Sequence, residues 1–276
     1  MNGEFDTESG RLNRYGISGK RIIAQLPEPY FWRAPTDNDF GNGMESNMGI
    51  WRNAHVNRKV KAVQVGEQNA GGINIKVDYE LTGIGVTYTV SYQVQNDGAV
   101  KITAAIDMAG RELPELPRFG MRLQLPPAYK NLAYYGRGPW ENYADRNTAA
   151  FVGIYKDSVS NQGTENYIRP QENGYKTDVR WLRLTDESGA GLQVEGAKPI
   201  GFSALNHMTE DFDPGMTKKQ QHWTDIKPRR EVYLHVDLAQ RGLGGDDSWG
   251  ALPHRQYRLL EKTYAYSYIL RLIPGK

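Results

Sequence analysis

Between residues 73 and 106 the chain alternates apolar and polar residues almost without interruption, and that period of two fixes what the stretch can become. Ile73, Ile75, Val77, Tyr79 and Leu81 are spaced by Asn74, Lys76, Asp78 and Glu80. Val86, Tyr88, Val90, Tyr92 and Val94 are spaced by Thr87, Thr89, Ser91 and Gln93, and Val100, Ile102, Ala104 and Ile106 continue the pattern. Successive side chains on a strand point to opposite faces, so each run has one apolar face. The links at 82–85 and at Asn96, Asp97 and Gly98 are too short to join anything but antiparallel neighbours. The segment is therefore expected to be an antiparallel meander with one buried face.

The second half keeps this period less cleanly. Phe119, Met121, Leu123 and Leu125 alternate until Pro126 and Pro127; Val232, Leu234, Val236 and Leu238 form another run, and residues 264–273 read as a long final strand. After Val179 and Trp181 the apolar parity slips to Leu182 and Leu184, the signature of a bulge or of a strand buried on both faces. Leu192 and Val194 follow. No apolar stripe of helical period reaches helical length; short helical turns are expected only near 44–52 and 205–212. Aromatics are 11 % of residues, with 17 Tyr, and Gly and Pro number 30 and 14, a composition of strands joined by turns. The expected fold class is all-β, an antiparallel sandwich of large sheets, with residues 1–276 read as one domain. Two stretches, 27–60 and 136–178, lack alternation and are too long for idle connections; rich in Asn, Asp, Arg, Gly and aromatics, they are where a binding surface is expected.

Composition removes several functions. The chain has no cysteine, which excludes disulfides, thiolate zinc sites and thiol nucleophiles. Thirty-four Lys and Arg against 32 Asp and Glu leave a net charge of +2, no basis for a nucleic-acid or acidic-membrane partner. No apolar run nears the ~20 residues of a spanning helix. The five histidines form no close ligand pair, and Asp37, Asn38 and Asp39 begin like a calcium loop that does not continue, so no metal site is expected. An Asx-turn or bracing network is the plainer reading of that triplet. Gly-rich stretches at 136–138 and 242–245 fit no phosphate cradle. Glu141, Glu165 and Glu172 each precede Asn in loops; they could serve a glycosidase pair, or simply accept backbone N–H bonds. The densest constellation is RGLGGDDSWG at 241–250. Trp249 there is either a platform presented to a sugar ring, on a loop braced by Asp246 and Asp247, or a plug folding back into the end of the sandwich.

Four segments together resemble one family. FWRAPTDNDFG at 31–41, GRGPWENYADR at 136–146, YIRPQENG at 167–174 and GGDDSW at 244–249 resemble, in order, the motifs of the C-terminal domain of large family 2 β-galactosidases. The resemblance spans nearly the whole chain and implies a β-supersandwich of galactose-mutarotase-like topology. It further implies that this domain follows a catalytic (β/α)8 barrel of the same polypeptide, that the barrel carries the catalytic glutamates and the Mg and Na sites, that no cofactor is held here, and that Met1 could be an artificial start. By the same resemblance Trp249 reaches into the substrate pocket, with Gly244, Gly245, Asp246, Asp247 and Ser248 bracing its loop. Arg33, Asp37, Asn38, Asp39, Arg137, Glu141, Asn142, Tyr143, Arg146, Glu172 and Asn173 are expected as loop architecture or barrel-facing residues.

Three functions follow as expectations. The first is a domain that completes the galactoside pocket of a retaining β-galactosidase and is inactive alone. The second is an aldose mutarotase, with His207, Glu195 and Glu210 as acid–base groups. The third is a carbohydrate-binding or assembly module, contributing to a homo-oligomer. Cellular location is not legible in the sequence.

Overall fold

In a computed structural model the chain is described throughout except for Met1, Ser18, Thr164, Gln220 and Ser248. Three strands, β1 (Asn2–Asp6), β2 (Arg11–Ile17) and β3 (Lys20–Arg21), form a small antiparallel sheet. The remaining twelve belong to one large sheet: β4 (Gln25–Tyr30), β5 (Arg58–Val65), β6 (Ile73–Leu81), β7 (Val86–Val94), β8 (Val100–Asp107), β9 (Arg118–Leu125), β10 (Asn131–Gly138), β11 (Phe151–Ser158), β12 (Lys176–Thr185), β13 (Gly191–Leu205), β14 (Val232–Gln240) and β15 (Thr263–Ile273). Every pairing is antiparallel, as the alternation requires. Helical structure is confined to short pieces, among them α1 (Asp37–Gly41), α2 (Met44–Asn47) and α3 (Thr209–Phe212).

The sheet becomes a sandwich because β13 belongs to two arms. Its first part, from Gly191 to Gly196, pairs with β15, and through it with β8, β7, β6 and β5. Its last part, from Gly201 to Leu205, pairs instead with β14, and through it with β9 and β4. The two arms face each other across aromatic side chains. Phe119 on β9 meets Tyr266 on β15 at 5.7 Å, Phe31 meets Tyr88 on β7 at 5.7 Å, and the Tyr266 hydroxyl donates to the Val236 carbonyl at 2.6 Å. Burying each such ring is worth about 1.5–3 kcal/mol.

The meander agrees with the expected pattern: β6, β7 and β8 alternate buried and more exposed positions along their length. β9 and β14 do not. Both are buried on two faces, because their polar side is covered by the loops between β10 and β14. β11 is a strand inside the long irregular stretch 136–178; it lies at the sheet edge with almost no buried residue, so no alternation announces it. The parity slip read between Trp181 and Leu182 is displaced in the structure: residues 181–185 pair without a shift, and the break lies at Val179. β12 shifts register on both sides of that residue.

Candidate functional site

The outer side of the β4–β9–β14 arm carries charge. Register places Glu28, Arg122 and His235 side by side across the three strands, and beside them Tyr30, Gly120 and Asp237. Gly120 has to be glycine here, since a Cβ would overlap the Asp237 carboxylate. Arg118 links the layer: its guanidinium lies 3.2 Å from both Asp237 and Glu172 and 3.1 Å from His235 Nδ1. Glu172 also accepts from Gln240 at 3.0 Å, and its own N–H donates to the Ala34 carbonyl at 3.2 Å, which seats the QENG loop on the arm. Arg122 binds Glu28 at 2.8 Å and Glu210 at 2.7 Å. Burial pushes the Asp237 carboxyl up to about 7 against the pull of Arg118, and raises Glu172 as well. Burial also drives His235 well below its ordinary value and His55 down to about 4, so both imidazoles are neutral near pH 7.

On this layer the first and last motifs meet. Thr36 caps α1 reciprocally: its hydroxyl accepts from the Asp39 N–H at 3.2 Å, and its N–H donates to the Asp39 carboxylate at 3.0 Å. Asp39, fully buried, receives Arg33 through two bonds of 2.7 and 3.2 Å and Arg241 through one of 3.0 Å. Arg33 also donates to the carbonyls of Arg241 and Gly242, and Arg241 continues to Glu115 at 3.2 Å, which Arg258 neutralises from outside at 2.8 Å. Burial depresses the Arg241 guanidinium, with Arg33 adding like-charge repulsion; Asp39 and Glu115 oppose both. Removing one member of such a buried set costs about 3–5 kcal/mol, because it leaves an opposite charge stranded.

The loop that starts at Arg241 is therefore clamped at its root and open at its tip. Asn38 reaches the Leu243 carbonyl at 3.4 Å, and Asp145 accepts the Gly244 N–H at 2.9 Å. A Cβ on Gly242 would come within 2.6 Å of that same Asp145 carboxylate, and one on Gly245 would overlap the Ala251 carbonyl. Asp247 closes the tip by accepting the N–H groups of Trp249 at 2.8 Å and Ala251 at 3.2 Å. Trp249 is 91 % exposed, so it does not plug the sandwich. Ile168, next to the Arg169 that covers Phe40 of α1, is 89 % exposed, and Ile50, Met216 and Leu252 also show apolar surface.

Most other motif residues hydrogen-bond or stack within and between their loops. Glu141 accepts the Gly174 N–H and Arg146, both at 2.7 Å, and the Tyr167 hydroxyl. Asn142 accepts the Thr177 N–H at 2.9 Å and donates to the Arg137 and Trp140 carbonyls. Tyr143 stacks on Tyr175 at 5.6 Å beneath the Arg146 guanidinium. Asn173 donates to the Gln171 carbonyl at 2.8 Å, and Arg137 holds Asp178 and the Ala150 carbonyl. Asp37 is exposed, facing Lys218 and Arg169. The Asp246 carboxylate pairs with His254 at 2.8 Å. Ser248 lies outside the described residues. Of the groups weighed for a mutarotase, Glu210 is held by Arg122, Glu195 stands beside Arg271 on the sheet, and His207 packs on Phe212. Among the described residues no group of three or more His, Asp or Glu side chains could hold a metal ion.

Sequence reasoning missed Arg118, Glu115, Asp145 and Asp237. The available signal was charge inside strands: Arg118 and Arg122 share one face of β9, and His235 and Asp237 share one face of β14.

Residues 1–270 match the family described as beta galactosidase small chain, and the chain belongs to that family. Among its relatives is a beta-galactosidase of Priestia megaterium, 35 % identical over 268 residues, a match covering 97 % of this chain and 25 % of the relative. Another, from Halalkalibacterium halodurans, is 34 % identical over 259 residues, covering 92 % and 25 %. The chain thus spans about a quarter of the length of these relatives. Among solved structures, a galactose mutarotase related enzyme from Lactobacillus acidophilus matches at TM-score 0.48 and 10 % identity over 99 % of this chain and 95 % of that one. An alpha-galactosidase from Lactobacillus brevis gives TM-score 0.42 and 10 % identity over 79 % and 27 %.

Proposed function

We propose that this chain, acting as one domain, completes the galactoside pocket of a retaining β-galactosidase whose remaining length supplies the catalytic carboxylates. The observation that carries this reading is Trp249, a bare indole on a loop whose root is fixed by buried charge. A flat ring held so stacks on the apolar face of a pyranose and keeps water from it. The exposed Ile50, Ile168, Met216 and Leu252 around α1 would be covered by the rest of the polypeptide. Retaining hydrolysis needs two carboxyl groups about 5 Å apart flanking the scissile bond, one attacking the anomeric carbon and one protonating the leaving oxygen. This chain's part is to bind, orient and exclude water; Mg and Na belong to the remainder, and no step here runs through them.

The test is Trp249→Ala in the full-length polypeptide. Expected is a fall in kcat/KM for a β-galactoside worth about 1–3 kcal/mol, the scale of losing a large aromatic contact; unchanged kcat/KM removes the role. The 276-residue chain alone should not turn over the same substrate. Assembly is a second reading, favoured by edge strand β11, where Phe151, Val152 and Ile154 are exposed. Sedimentation of wild type against Ile154→Lys checks it, a smaller species in the variant supporting a homo-oligomer.

A further inference from the structure

Three neighbouring strands leave their ladders at one level. β12 gains a residue between Lys176 and Val179, β13 carries three unpaired residues between Glu195 and Ile200, and β14 gains one between Asp237 and Ala239. Asp178, Pro199 and Leu238, one from each break, line a common cavity of about 320 Å3. Asp178 is the one non-glycine residue with positive φ among the described residues, at 54°. Bulges re-aim side chains, and strained backbone persists only where its surroundings hold it. Arg137 does the holding: it binds the Asp178 carboxylate and donates to the carbonyl of Ala150, with Asn147 at 3.4 Å, fixing two segments of the cavity rim with one guanidinium.

We infer that this cavity is a binding site for a neutral polyhydroxy compound of monosaccharide size, separate from the indole of Trp249. Its volume lies at the small end of the ~300–1,000 Å3 of ligand sites. Arg137 already neutralises Asp178, so the cavity holds no unpaired charge to select an ion. Asn147 and Gln256 bring amides that both donate and accept, which suits hydroxyl groups, while Ile200 and Leu238 give an apolar wall for ring C–H groups. Gln240 is almost fully buried. Its Nε2 donates to Glu172 at 3.0 Å, and its Oε1 is sealed from solvent.

The experiment is an NMR titration of the 276-residue chain with D-galactose, D-glucose and myo-inositol in turn. Expected is saturable shifting, with at least one of the three, of the side-chain amides of Asn147, Gln240 and Gln256 and of the Asp178 backbone N–H. Gln256→Trp, which fills the cavity from an exposed position, should weaken that binding at least tenfold. Should that variant not fold, Asp178→Asn, which tolerates the same backbone, should weaken it at least threefold. No saturable shift with any of the three compounds overturns the proposal, as do shifts confined to the surroundings of Trp249 or binding unchanged in a folded variant.

Discussion

The root and the tip of the 241–250 loop are built on opposite principles within a few residues of each other. At the root, Arg33, Asp39 and Arg241 are sealed from solvent and satisfy one another, with Glu115 and Arg258 completing the chain of charge. At the tip, Asp246 and Trp249 face solvent, and order comes from short bonds of Asp247 to its own backbone. The contrast separates two duties. The root fixes where the loop leaves the fold, and the tip stands exposed.

The sharpest way to break this contrast is at the root. Arg241→Ala takes one of two cationic partners from each of Asp39 and Glu115 and should cost about 3–5 kcal/mol of stability by urea denaturation. A loss under 1 kcal/mol would mean the root is held by packing rather than charge. Acidity probes the layer beneath. Asp237 has its folded value raised from 3.8 to about 7, so its contribution to stability is complete below pH 4 and is lost as pH climbs towards 7. His55, lowered from 6.5 to about 4, acts the other way: the unfolded chain protonates first, and stability drops as pH falls from 6.5 to 4. Asp237→Asn should therefore remove the decline between pH 4 and 7; a pH–stability slope identical to wild type would refute the assignment. The smallest effect belongs to the tip. Trp249→Ala should change the stability of the 276-residue chain by no more than about 0.5 kcal/mol, and a larger loss would show that the indole packs on its own fold.

The meander from Ile73 to Asp107 was legible because each strand buries one face, which period two reports directly. β9 and β14 were half legible. Phe119, Met121 and Leu123 announced an inner face, but nothing local shows that Arg118 and Arg122 on the other face are buried as well. β11 was illegible for the opposite cause, since an edge strand with little burial has no pattern to show. The four motifs were visible as strings, and the exposure of Trp249 was one of two open readings. What no local pattern reveals is that Asp39 and Arg241 touch across 202 positions of sequence, or that three bulges line up beside Asp178.

That long-range clamp also orders events during synthesis. Arg33 and Asp39 emerge from the ribosome with only each other, and Glu115 emerges long before Arg258. A buried carboxylate without its full set of cations is costly, so the α1 segment of a nascent chain has reason to stay hydrated until the last quarter of these 276 residues arrives. Contacts so distant in sequence close slowly. The 241–250 loop is therefore among the last features to take its place, and a polypeptide stopped before Arg241 lacks both the loop and the means to bury the charges that anchor it.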